Sequence, residues 1–130
     1  MEEREQTLHK SERLDSLTVI QKLFGGGNRS FSAFPLRVVY MPVDESMSKD
    51  TASILISVPK KKFKRAVKRN LVKRQIREAY RKNKYLLLDE LSKRNMGLVI
   101  AFVWIDNNIF PSQEIEKRVK RILLHIIDTL

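Results

Sequence analysis

The chain has 130 residues, 42% of them apolar, no cysteine and a net charge of +11. That length suits one domain with its own core, and the apolar share excludes wholesale disorder. The missing cysteine excludes disulfides, thiolate zinc sites and thiol nucleophiles. No apolar run approaches the ~20 residues of a membrane span, and the start Met1-Glu-Glu-Arg-Glu-Gln lacks a secretory pattern, so a soluble, cytoplasmic protein is expected.

Residues 1–9 are polar and read as a frayed, disordered tail. A first helix is expected from Ser11, because Leu14, Leu17, Ile20, Leu23 and Phe24 recur at helical spacing. Gly25-Gly26-Gly27-Asn28 should stop it, since glycine tolerates the left-handed conformation of a helix end. Residues 34–41 read as a strand, with Phe34, Leu36, Val38 and Tyr40 on one face and Pro35, Arg37 and Val39 on the other. A short extra strand fits residues 29–32. Residues 42–50 form a polar connection to a second strand at 51–58, closed by Pro59. These two strands are expected to pair as an antiparallel hairpin.

A basic helix is expected from Lys64 to Lys84. After Gly97 comes the nearly continuous apolar run 98–105, the pattern of a strand buried on both faces. Asp106-Asn107-Asn108 marks a turn. Ser112 is placed to cap a last helix, with Glu114 near its positive end and Ile115, Val119, Ile122, Ile126 and Leu130 on one face. The order predicts an α+β fold: a two-layer sandwich of helices on a central mixed sheet of about four strands.

The charge is concentrated. Thirteen of the twenty-six Lys and Arg residues fall within residues 60–84, opposed there only by Glu78. With ~100° per residue, Val72, Ile76, Ala79 and Tyr80 make an apolar side of the helix. Asn70, Lys73, Arg74, Arg77 and Arg81 fall opposite; Lys68 and Arg69 border the apolar side, and Val67 and Leu71 flank the polar one. Solvated helices usually mix signs, because Glu–Lys pairs stabilise them. A run of adjacent cations costs stability and is rational where a polyanion relieves it, so nucleic acid is the expected partner. The face lacks the Trp/Phe/Leu edge that inserts into lipid, so no membrane partner is expected. A helix-turn-helix reader fails because a strand ending in Pro59 precedes the helix.

No catalytic constellation is visible. His9 and His125 have no paired acid or nucleophile, the carboxylates are scattered, and Gly25-Gly26-Gly27 lacks the Gly-Lys-Ser/Thr of a phosphate loop. No organic cofactor or protein-bound metal is expected.

Ile56-Ser-Val-Pro-Lys-Lys-Lys-Phe-Lys-Arg-Ala-Val-Lys-Arg-Asn-Leu-Val-Lys-Arg-Gln-Ile-Arg-Glu-Ala-Tyr-Arg81 resembles the signature of the bacterial ribonuclease P protein family. Ala66-Val67, Arg69-Asn70, Lys73-Arg74 and Ile76-Arg77-Glu78 carry the match, and Ser11-Glu-Arg-Leu14 with Leu23-Phe24 and glycine resembles the family's first helix. Most of the chain is covered. Three positions depart: Leu71 stands where the family has Arg, Pro59 where Ser is common, and Ile20 where an aromatic is frequent.

The resemblance implies the protein subunit of ribonuclease P, an endoribonuclease in which the RNA catalyses removal of the 5′ leader from precursor tRNA. It implies a left-handed crossover around the basic helix, Mg²⁺ held mainly by the catalytic RNA, and a monomeric protein whose partners are ribonuclease P RNA and precursor tRNA. The chain would be one RNA-binding domain over residues 1–130. The RNA-subunit surface would comprise Lys60, Lys61, Lys62, Lys64, Arg65, Lys68, Arg69, Asn70, Lys73, Arg74, Arg77 and Arg81. A leader-binding cleft would hold Ile20, Phe24 and Arg37, although Phe24 also reads as a core residue. The alternative is a structural RNA-binding protein of ribosomal type, which needs no leader cleft.

Overall fold

The computed structural model describes residues 17–26, 28–43 and 52–130. The expected tail with His9, the helix start at Ser11 with Leu14, and residues 44–51 lie outside the described residues. The elements run α1 (Leu17–Phe24), β1 (Arg29–Ala33), β2 (Leu36–Val43), β3 (Ala52–Ser57), α2 (Ala66–Lys93), β4 (Gly97–Trp104) and α3 (Ser112–Thr129).

The strands form one mixed sheet in the order β1-β2-β4-β3. β1 pairs antiparallel with β2, β2 antiparallel with β4, and β3 parallel with β4. The fold is α+β as expected, and the extra strand at 29–32 exists as β1. The expected hairpin between the strands at 34–41 and 51–58 does not form, because β4 lies between them. The cause is burial. Leu98, Val99, Ile100, Ala101, Phe102 and Trp104 are all fully buried, and a strand apolar on both faces belongs in the sheet interior. β3 takes an edge, where Leu55, Ile56 and Ser57 are half-exposed. A parallel pair needs a long crossover, which the 28-residue α2 supplies.

Alternation along β2 and β4 separates two apolar layers. Leu36, Val38, Tyr40, Leu98, Ile100, Phe102 and Trp104 face α2 and α3, where they meet Val72, Ile76, Tyr80, Leu87, Leu91, Ile115, Val119, Ile122 and Ile126. Val39, Val43, Val99 and Ala101 face the other way and meet Leu23 of α1, with Ile20, Met41 and Leu55 partly buried beside them. Phe34 lies off the strand, in the turn between β1 and β2, and is exposed.

α2 outruns the expected helix end at Lys84 by nine residues, to Lys93. The charge run ends there but the apolar periodicity does not: Leu87 and Leu91 extend the stripe of Val72, Ile76 and Tyr80. Asn95, at φ 53°, then closes the helix in the left-handed region, with Asn95 N–H donating to Ser92 O and Met96 N–H to Leu91 O. α1 ends as expected at the glycines, with Gly26 at φ 96°. Asn28 Nδ2 adds bonds of 2.7 Å to Lys22 O and Leu23 O, satisfying carbonyls that the helix end leaves open.

Ser112 does not cap α3. Pro111 occupies the cap position and no side-chain cap bond forms; the Ser112 hydroxyl instead accepts from Gln75 Nε2 at 3.1 Å. Glu114 does sit in the first turn. At the other end of α3, the Tyr40 hydroxyl bonds Thr129 Oγ1 at 2.7 Å, and Arg29 donates to Thr129 O. The Asp106 turn closes as expected, with Asn108 N–H donating to Asp106 Oδ2.

Candidate nucleic-acid interface

The cationic surface is built in two pieces. The first is the loop between β3 and α2. Lys62 N–H donates to Pro59 O at 3.0 Å, so Pro59 turns the chain at the strand end. Phe63 is buried in the main core and pins the loop, leaving Lys60, Lys61, Lys64 and Arg65 exposed on either side. Arg69 reaches back from the helix: its Nη1 donates to Phe63 O at 2.8 Å and Lys64 O at 2.9 Å. Arg69 therefore braces the cationic loop as well as adding its own charge.

The second piece is the outer side of α2. Val72, Ile76, Ala79 and Tyr80 are buried against the sheet and α3, which turns Asn70, Lys73, Arg74, Arg77 and Arg81 outward. From Asn70 to Arg81 the strip runs ~16 Å at 1.5 Å per residue. Lys68, Asn70 and Arg74 are exposed, and Lys62, Arg69, Lys73, Arg77 and Arg81 are half-exposed. Lys84 is different. It is 3% exposed and falls on the inner side of the helix, with Nζ 5.6 Å from the Tyr85 ring centroid.

Electrostatics favour an anion here. The first turn of α2 holds no acid, and its cap residue Arg65 makes no side-chain cap bond. Cations at the positive end of a helix oppose its dipole, and that end attracts anions. Glu78, the lone acid of the segment, is already occupied. Arg81 donates to it through Nε at 3.0 Å and through Nη2. That hydrogen bond holds the Glu78 carboxyl below its ordinary pKa and raises that of Arg81.

The cleft residues lie on the opposite face of the sheet, beside α1. Ile20 is half-buried against Leu23, Val39, Val43, Val99 and Ala101. Phe24 follows four residues later, on the same side of the helix, yet is 49% exposed. The core reading of Phe24 therefore fails. Arg37 is exposed, and strand alternation puts it on this face with Val39 and Met41. The pairing registers set Ser32, Arg37, Val103 and Ser57 in one row across the sheet. Sequence reasoning missed Ser32, Val103 and Ser57, since only the strand order brings them together. It also missed Phe63, whose signal was a lone aromatic among lysines.

His125 is not a bare surface histidine. Its ring stacks on Phe31 with centroids 3.7 Å apart and planes at 12°. Among the described residues, no three His, Asp or Glu side chains converge as a metal site. No helix among them is long and apolar enough to cross a membrane.

Comparison with known proteins agrees with this geometry. The Ribonuclease P family model matches residues 8–127. This chain belongs to the ribonuclease P protein family. It is 44% identical over 119 residues to the ribonuclease P protein component of Porphyromonas gingivalis, covering 92% of this chain and 85% of the relative. Among solved structures, the Staphylococcus aureus RNase P protein superposes with a TM-score of 0.69 at 21% identity, over 90% of this chain and 96% of that one. The Thermotoga maritima RNase P protein gives 0.60 at 22% identity, over 92% and 97%. At such identities the two structures speak for the fold, and the family membership rests on the sequence matches. Leu71, where the resemblance led to an expectation of Arg, is 38% exposed on the flank of the cationic strip.

Proposed function

We propose that this chain is the protein subunit of ribonuclease P, working as one RNA-binding domain in the cytoplasm, and that its cationic loop and outer α2 side dock on the catalytic RNA. The observation that carries this reading is the separation of two surfaces. A strip of cations, braced by Phe63 and Arg69, lies on one side of the sheet. A less charged floor lies on the other, where β2 carries the exposed Arg37 and α1 ends in the exposed Phe24.

The strip takes phosphates. Lys60, Lys61, Lys62, Lys64, Arg65, Lys68, Arg69, Lys73, Arg74, Arg77 and Arg81 release counterions as they engage the RNA backbone, and Asn70 adds a neutral hydrogen-bonding group. The floor takes the single-stranded 5′ leader of precursor tRNA. Phe24 offers a stacking face, which tolerates varied sequence because every base has a π-face. Ile20 supports it, and Arg37 offers a phosphate partner. The protein itself breaks no bond. Mg²⁺ is held mainly by the RNA, and the protein's charge lowers the Mg²⁺ requirement while holding the substrate in place. The protein acts as a monomer in this assembly. The comparisons do not favour the ribosomal-type alternative.

The test is cleavage of a precursor tRNA at low Mg²⁺ by the protein alone, by the cognate catalytic RNA alone, and by both. Correct 5′ cleavage with both, well above RNA alone, is expected. Cleavage by the protein alone would replace this reading with a nuclease. Absence of any enhancement would reduce the chain to a structural RNA binder.

A further inference from the structure

Neither surface described above includes an aromatic group at the end of the sheet where β1 turns into β2. Phe34 sits in that turn and is 56% exposed. It is not loose. Its ring meets Phe110 edge-on with centroids 6.1 Å apart, and Phe110 meets the fully buried Trp104 edge-on at 5.7 Å. Arg118 Nε donates to Phe34 O at 2.9 Å, and Ile105 N–H to Pro35 O at 3.0 Å. Two hydrogen bonds and a chain of three rings thus present one aromatic ring to solvent.

The ring stands close to the cationic strip. Gln75 Nε2 donates to Phe110 O at 3.0 Å and to Ser112 Oγ, tying the 109–112 segment to α2. One and two turns before Gln75, on the same side of the helix, lie Leu71 and Val67, both exposed. Ile109, next to Phe110, is exposed as well. An apolar margin therefore runs along the strip, with Lys68 and Arg74 one turn either side of Leu71 and Arg118 at the Phe34 end.

We propose that Phe34 is a base-stacking contact for an unpaired nucleotide of the same RNA that docks on α2. The inference rests on the RNA-docking reading above and adds a second kind of contact to it. Charge complementarity selects the occupant. The base lies on the Phe34 ring and its phosphates meet the neighbouring cations, Arg118 among them. Nearby acids have partners of their own: Glu78 pairs with Arg81, Glu114 with Lys117 at 3.5 Å, Glu116 accepts from Asn83 Nδ2 at 3.4 Å, and Asp106 accepts from the Asn108 N–H. A second copy of this chain would bring one strip of cations against another. Base–aromatic stacking is sequence-tolerant and carries no charge, so it adds affinity without adding salt dependence.

That difference provides the test. Binding of the cognate ribonuclease P RNA is measured over a series of salt concentrations for the wild type and for Phe34→Ala, Phe34→Leu and Phe34→Trp. Phe34→Ala should bind about 5- to 150-fold more weakly, the range of one stacked base, with an unchanged salt slope. Phe34→Trp should restore affinity and Phe34→Leu should not. Equal binding by wild type and Phe34→Ala overturns the inference while leaving the docking reading intact. Full rescue by Leu overturns it in favour of plain apolar packing. A wild-type dimer in sedimentation that Phe34→Ala abolishes, with RNA affinity unchanged, assigns the ring to a second copy. A wild type that fails to bind the RNA at all removes both readings together. Should Phe34→Ala lose its folded circular-dichroism spectrum, the comparison of Leu with Trp decides alone.

Discussion

Replacing Lys73, Arg74 and Arg77 together by Gln removes three charges from the outer side of α2 and no atom from the core. Arg74 is exposed and the other two are half-exposed. Each phosphate contact contributes about 0.7–0.9 to the slope of log affinity against log salt. Three contacts make a slope change of about 2–2.7, or roughly a 100-fold loss of affinity near 0.15 M salt that shrinks as salt rises. Folding should change little, because the three side chains lie on the outer side of α2 and exposed charge pairs contribute little to stability. The assay is filter binding of the catalytic RNA at several salt concentrations, paired with thermal unfolding. An unchanged salt slope would refute the docking of this helix side. A reduced slope with a large fall in melting temperature would show that the charges act on the fold instead.

Phe24→Ala removes an exposed ring beside the sheet floor, so it should leave the melting temperature nearly unchanged. It should weaken precursor tRNA binding by the holoenzyme about 5-fold or more, the value of one stacked base, and leave mature tRNA binding alone; equal losses for both would remove Phe24 from the leader path. Phe63→Ala opens a cavity beneath the cationic loop and should cost about 3–5 kcal/mol in urea unfolding, and a loss below 1 kcal/mol would mean the loop is held by Arg69 alone. Glu78→Gln removes the one acid among residues 60–84 and should strengthen RNA binding by up to about fivefold near 0.15 M salt, the effect of one unit of charge. Its pH dependence has a definite sign. The folded-state pKa of Glu78 is depressed, so its stabilisation is present at neutral pH and lost as pH falls through the acidic carboxylate range. Wild type should therefore melt slightly above Glu78→Gln at neutral pH and coincide with it in acid, and because both partners are exposed the gap stays small.

Much of the site was legible in one dimension because it repeats with the helix. The alternation of Val72, Ile76, Ala79 and Tyr80 with Asn70, Lys73, Arg74, Arg77 and Arg81 depends only on residues within a few turns, and the structure reproduces it. The same holds for the glycine stop after Phe24 and for β4, whose unbroken apolar run placed it inside the sheet. The end of α2 is also local, since Leu87 and Leu91 continue its apolar stripe after the charge contrast fades at Lys84, and the helix runs nine residues further. Local reasoning failed where a distant partner decided. Ser112 had the chemistry of a cap, and Gln75 from another helix takes its hydroxyl. Arg69 looked like one more surface cation, and it also bonds two loop carbonyls.

By itself, then, the amino-acid order determined the elements, the cationic side of α2 and the family, because charge, periodicity and motif are properties of neighbours along the chain. Only the tertiary structure decided strand order, the exposure of Phe24, the row of Ser32, Arg37, Val103 and Ser57, and the seating of Phe34 on Phe110. The pairing of β2 and β3 shows why. Both strands satisfy a hairpin locally, yet β4 buries apolar side chains on both of its faces only by lying between them. That gain exists only once all the strands are assembled.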